Sequence, residues 1–72
     1  MRLVVMSCGD SDFSIDRVDE GYPPEEMEWR IVQLADELFP SYKQMFYFGD
    51  SAPSVDLIKD GAIRHRICFE KE

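Results

Sequence analysis

One stretch of the chain has the apolar spacing of an α-helix, and its limits restrict what the remaining residues can form. Its apolar side chains recur every three or four residues and give one stripe at Met27, Ile31, Leu34, Ala35 and Leu38. Prolines suit the first turn of a helix and disfavour helical geometry in the residue before them, so Pro23-Pro24 and Pro40 bound the segment. We predict one helix over about 24–39 within a single domain, 1–72.

Short apolar segments predict strands on either side of that helix. Leu3–Met6 is apolar throughout, as in a central strand that is buried on both faces. Met45–Phe48 is aromatic and predicts a second strand. A strand, a helix and a strand in this order predict a βαβ unit whose two strands are parallel. Residues 8–22 are rich in Asp, Ser and Gly, and we predict a long acidic loop there.

The last section of the chain predicts a β-hairpin over 54–69. Both a two-residue and a three-residue turn fit its sequence. The shorter turn sets Leu57 opposite Arg64, whereas the longer turn sets Leu57 opposite Ile63 and Asp56 opposite Arg64. We favour the longer turn, because it places an apolar side chain opposite an apolar one and an acid opposite a base. The final strand would leave an open edge that allows homodimers.

The acidic residues are concentrated in one part of the chain. The net charge is −7. The segment from Asp10 to Glu28 holds more than half of the fifteen acidic residues. The eight basic residues are dispersed, whereas proteins that bind nucleic acid cluster Lys and Arg. We therefore expect no direct nucleic-acid binding, and instead a protein partner with a basic surface.

The sequence also bears on the compartment. No segment approaches the roughly 20 apolar residues of a membrane helix, and no export signal is evident, so we expect a cytoplasmic protein that does not bind membranes. Its two cysteines, Cys8 and Cys68, would stay reduced there. We expect no cofactor and no bound metal, because no set of residues has the spacing of metal ligands.

The hairpin and the proline before it resemble a known family. Ser51-Ala52-Pro53 leads into a short apolar strand and the turn Lys59-Asp60-Gly61, an order similar to the cis-proline hairpin of the thioredoxin family, particularly its bacilliredoxin branch. Cys8 follows the first strand, where that family keeps its thiol, and Cys8-Gly9-Asp10-Ser11 reads as Cys-x-x-Ser. The resemblance implies a truncated thioredoxin-like α/β fold: a β-α-β-β core with one helix on a four-stranded mixed sheet of order 2-1-3-4.

The same resemblance implies one candidate function. A thioredoxin-like thiol protein would use Cys8 as its catalytic thiol, with Ser11 and Pro53 near it. A single thiol forms mixed disulfides by thiol–disulfide exchange but closes no internal disulfide. The neighbouring acids Asp10, Asp12 and Asp16 would raise the pKa of the Cys8 thiol and favour a different interpretation, an unreactive cysteine at a strand end.

Trp29 carries the other candidate function. It lies about 170° from the centre of the apolar stripe, so its indole should point away from the sheet, flanked by Val32 and Phe39. Apolar residues of the acidic loop would then cover it, or it would anchor an interface, since Trp is enriched at binding hot spots. The second interpretation predicts a non-enzymatic inhibitor or adaptor, of the kind that phages and plasmids encode. Its partner-binding residues would be Trp29, Glu25, Glu28, Asp36, Asp16 and Asp19.

Two other arrangements are rejected on geometry. A Cys8–Cys68 disulfide fails because, in the order 2-1-3-4, another strand separates the two by roughly 9.6 Å, beyond the reach of about 7 Å between Cα atoms. A zinc site at His65 fails because His65 and Cys68 face opposite sides of one strand. We predict a packed, hydrogen-bonded histidine instead.

Overall fold

The part of the chain that the structure describes forms one antiparallel sheet with one α-helix on one face. The computed structural model describes residues 1–49 and 52–71. Along the chain the elements are β1 (Arg2–Cys8), β2 (Phe13–Asp19), a 3₁₀ turn (Pro24–Glu26), α1 (Met27–Leu38), β3 (Lys43–Tyr47), β4 (Ser54–Lys59) and β5 (Ala62–Glu70). The order across the sheet is β2-β1-β5-β4-β3. Among the helices in these two ranges, none has the length and apolar character that crossing a membrane requires.

The predicted four-stranded mixed sheet of order 2-1-3-4 is wrong. Within residues 1–49 and 52–71 the fold is mostly sheet, with five strands, and every neighbouring pair among them is antiparallel. β1 lies between β2 and β5, whereas the predicted parallel partner, β3, pairs with β4. α1 therefore joins strands at opposite edges of the sheet. The order strand, helix, strand in the sequence fits a helix between strands at opposite edges as well as a helix between parallel neighbours. Local sequence does not determine which strands become neighbours.

The predicted loop over 8–22 contains an edge strand, β2. A β-bulge interrupts its pairing with β1, because Val5 lies opposite Arg17 while the next residue, Met6, lies opposite Ile15. The extra residue, Asp16, shifts the alternation of side chains by one position. The apolar residues of β2 are consequently spaced unevenly, so its sequence lacks the period-two alternation that predicts a strand.

The hairpin of β4 and β5 has a two-residue turn and a bulge, so the favoured three-residue turn is wrong. Asp60 and Gly61 both have positive φ, 55° and 77°, as in the type I′ turns that suit hairpins. Ile58 lies opposite Ile63. Between Ile58 and Leu57 the register shifts by one residue, and Arg64 is the extra residue of the bulge. Leu57 then lies opposite His65 and Asp56 lies opposite Arg66. An acid does face a base, but the base is two residues beyond the predicted one.

The core lies between α1 and one face of the sheet. The predicted stripe supplies three buried side chains, Ile31, Leu34 and Ala35, while Leu38 is 41% exposed at the helix end. Six sheet residues complete the core: Leu3 and Val5 from β1, Val55 and Leu57 from β4, and Ile67 and Phe69 from β5. Each fully buried aliphatic side chain contributes about 1.5–3 kcal/mol. The opposite face of the sheet has no helix on it within the described ranges.

The edges of the sheet are β2 and β3. The final strand, β5, was predicted to leave an open edge, and this is wrong because β5 pairs with β1 on one side and with β4 on the other. Any pairing with another chain through an edge must therefore use β2 or β3.

Candidate functional site

Trp29 lies on the outward side of α1, as its position in the helical period predicts. Its side chain is 54% exposed, and Val32, one turn later, is 40% exposed. Phe39 was predicted to flank Trp29, and this is wrong, because Phe39 caps the helix outside α-helical geometry and stacks on His65 with ring centroids 4.2 Å apart. The apolar residues proposed as a cover lie on β2 and are themselves exposed: Phe13, Ile15 and Val18.

A hydrogen bond between helix and sheet shows which way this side of α1 faces. Gln44 Nε2 donates to Asp36 Oδ1 at 2.9 Å, so Asp36 faces the edge strand β3. Trp29 precedes Asp36 by seven residues, close to two full helical turns, and therefore projects from the same side of α1. Phe46 and Phe48, whose rings stack at 5.7 Å, belong to this edge of the molecule.

Exposed acidic side chains precede and follow Trp29 along the helix. Glu25 and Glu28 are exposed at the beginning of the helix, where the helix dipole favours negative charge. Asp36 is exposed two turns further along. We call the exposed apolar and acidic set on this side of the helix the Trp29 surface; its members are Trp29, Val32, Glu25, Glu28 and Asp36.

The other two acids predicted to bind the partner lie elsewhere. Asp16 and Asp19 belong to β2, and three strands separate β2 from β3. Asp16 Oδ2 accepts a hydrogen bond from Ser7 Oγ at 2.5 Å. Asp19 Oδ2 lies 2.7 Å from Arg17 Nη2, and the hydrogen bond to Asp19 raises the pKa of the Arg17 guanidinium. Four of the six predicted partner-binding residues therefore belong to α1 or to the 3₁₀ turn before it, and the other two belong to β2.

The three residues of the predicted thiol site do not converge. Cys8 ends β1, and Ser11 lies in the turn that the Gly9 N–H closes on the Asp12 carbonyl at 2.7 Å. Pro53 is buried immediately before β4, at a trans peptide bond. The pairing of β4 with β5 and of β5 with β1 places Pro53 level with the first residues of β1. Cys8 is then roughly 16 Å further along the strands.

Both cysteines are free thiols on the uncovered face of the sheet. Cys68 lies opposite Val4, so Cys8 is four residues further along β1, roughly 13 Å away. The prediction that another strand separates the two cysteines is wrong, because β1 and β5 are neighbours. The two thiols are apart because they are offset along these strands. Burial, followed by the charge of Glu70, raises the pKa of the Cys68 thiol.

The uncovered face forms a groove of about 550 Å³. Its lining combines apolar, thiol and charged side chains: Met6, Cys8, Phe13, Tyr47, Ser54, Asp56, Arg66, Cys68 and Glu70. Arg66 Nε donates to Asp56 Oδ1 at 2.6 Å, and this hydrogen bond raises the pKa of the guanidinium. Asp56 is buried, so the ion pair holds a charge inside the sheet that would otherwise be costly. Sequence reasoning missed this pair because the bulge at Arg64 decides it.

His65 is packed and hydrogen-bonded, as predicted. Its ring stacks on Phe39 and meets the edge of Tyr42 at 5.4 Å, while Nδ1 lies 3.3 Å from Ser7 Oγ. Asp16 contacts the Ser7 hydroxyl and not the imidazole, so the three side chains lack the order of a nucleophile, base and orienting acid. The sequence offered no signal for this chain of contacts, because it depends on β2 pairing with β1.

Known proteins supply no further constraint on the site. Comparison with protein-family models, with curated proteins and with solved structures finds no match to this chain. The resemblance of residues 51–61 to the thioredoxin family stays a prediction.

Proposed function

We propose that this protein is a small acidic binding module, an inhibitor or adaptor, that captures a protein with a basic surface through the Trp29 surface. The observation that carries the proposal is the indole of Trp29, which is 54% exposed beside exposed acids on one side of the helix. A large aromatic side chain left in water among charged residues is typical of an interface anchor.

The energetics suit this role. Aromatic side chains bury about 150–250 Å² each, so covering the exposed half of an indole contributes about 2–3 kcal/mol at roughly 25 cal/mol per Å². Glu25, Glu28 and Asp36 add attraction for a basic partner, which mainly accelerates association and weakens with salt. The apolar anchor and the acidic surroundings therefore make distinguishable contributions to binding.

Affinity capture from a host lysate tests the proposal. The test variant combines Trp29→Ala with Glu25→Lys and Glu28→Lys. The matched control combines Phe13→Ala with Asp10→Lys and Asp12→Lys, which makes the same charge change beside another exposed aromatic residue. We expect the test variant to lose a partner that the control still captures, with both variants folded by circular dichroism. Equal capture by the two variants would refute the proposal.

The compartment and the thiol chemistry are linked. We propose a cytoplasmic location, where the free thiols Cys8 and Cys68 would persist. Thiol–disulfide exchange is the less favoured function, because Pro53 lies far from the Cys8 end of β1.

A further inference from the structure

The two edges of the sheet differ in how well they resist pairing with another chain. β2 contains a bulge and three charged residues, Asp16, Arg17 and Asp19, and both features deter edge-to-edge association. β3 pairs with β4 over Lys43–Tyr47 without any shift in register, and Lys43 is its single charged residue. A regular edge strand of this composition is a template for another strand.

The side chains of β3 are also unusually apolar for an edge. Met45 is 41% exposed and Tyr47 is 48% exposed on the uncovered face of the sheet. Phe48, immediately after the strand, is 51% exposed and stacks on Phe46. In a monomer these side chains and the outer backbone groups of β3 would face water, since β3 ends the described sheet.

We propose that the occupant of this edge is a second copy of the chain, which pairs β3 antiparallel with β3 about a two-fold axis at Met45. This register places Lys43 opposite Tyr47 of the second copy and Gln44 opposite Phe46 of the second copy. No like charges lie opposite each other, and the Lys–Tyr pair brings an ammonium group within reach of an aromatic ring. The strand is therefore complementary to itself in this register.

The pairing has a consequence for the Trp29 surface. Antiparallel pairing across a two-fold axis continues the sheet to ten strands and leaves both helices on the same face. α1 packs over β4 and β5, so the two helix axes would be roughly 20 Å apart at the usual strand spacing. Because Trp29 projects toward the β3 edge, the indole of each copy would point from its helix toward the axis, and the dimer would present two copies of the Trp29 surface. The dimer does not depend on the proposed capture of a basic partner.

Charge gives the dimer a distinctive salt dependence. Each copy has a net charge of −7, so two copies repel and added salt should strengthen dimerisation. Capture of a basic partner should instead weaken with salt. The failure of one proposal is thereby distinguishable from the failure of the other.

Sedimentation equilibrium of the full chain over a range of protein and salt concentrations tests the dimer. Met45→Lys places two ammonium groups opposite each other at the axis and should weaken dimerisation about tenfold or more. The matched control, Ile15→Lys, introduces the same charge at an exposed position of the other edge strand and should leave the dimer intact. Tyr47→Lys, which would face Lys43 of the second copy, replaces the first variant if that variant fails to fold.

Three outcomes would overturn the proposal. The natural chain could remain monomeric at every protein and salt concentration. A dimer could persist when β3 carries the added lysine. Equal weakening by Ile15→Lys and Met45→Lys would indicate a general charge effect or pairing through β2.

Discussion

Arg66 Nε lies 2.6 Å from Asp56 Oδ1 across the β4–β5 pair, yet the two side chains differ greatly in exposure, 45% for Arg66 and 3% for Asp56. The pair is therefore asymmetric. Loss of the arginine leaves a buried carboxylate without its partner. Loss of the carboxylate leaves a guanidinium that water can solvate.

This asymmetry predicts unequal effects on the free energy of unfolding. Arg66→Met should destabilise the protein by about 3 kcal/mol, because the Asp56 carboxylate stays buried without its partner. Asp56→Asn should cost about 1 kcal/mol. Urea unfolding followed by circular dichroism measures both. Arg17→Met, which removes an exposed ion pair with Asp19, is the control and should change stability by about 0.5 kcal/mol or less. Equal costs for Arg66→Met and Arg17→Met would contradict the buried carboxylate.

Cys68 should ionise later than an ordinary thiol. Burial and Glu70 raise its pKa above the usual value of 9.0, while Arg66 opposes the shift. In a Cys8→Ser background, alkylation of Cys68 should be slow in the folded protein and reach its full rate only at a higher pH than in urea. Glu70→Gln should move the alkylation profile back toward lower pH. A folded-state profile at or below the unfolded one would contradict this assignment.

The same shift affects stability at alkaline pH. A thiol with a raised folded-state pKa binds its proton more tightly in the folded protein, so its contribution is intact below the unfolded pKa. As pH rises through the folded pKa, that contribution is lost. Stability should therefore fall above about pH 9, and Cys68→Ser should lessen the fall.

Truncation should destabilise the protein far less at Trp29 than at Leu34. Trp29→Ala removes a side chain that is half exposed and should change the free energy of unfolding by less than about 1 kcal/mol. Leu34→Ala opens a cavity beneath α1 and should cost about 3 kcal/mol. Because Trp29 is the single tryptophan, its fluorescence should be quenched readily by acrylamide in the folded protein. Strong protection from the quencher would show that the indole is covered.

Local periodicity was a sufficient guide to α1 and to the outward position of Trp29. The helical stripe and the prolines that bound it act over neighbouring residues, so no knowledge of the rest of the chain was needed. The strand segments of β1, β3, β4 and β5 were recognisable for the same reason. β2 was not, because the bulge at Asp16 breaks the alternation that reveals a half-buried strand.

By itself, the sequence determined one amphipathic helix, an acidic chain and several short strands, because these properties depend on residues close together along the chain. Only the tertiary structure decided that β1 pairs with β5, that Asp56 forms its ion pair with Arg66 and not with Arg64, and that β3 is an edge strand. Pairing depends on contacts between distant segments, and a bulge of one residue changes which side chains meet. The partners of these residues were therefore not readable from their neighbours in the chain.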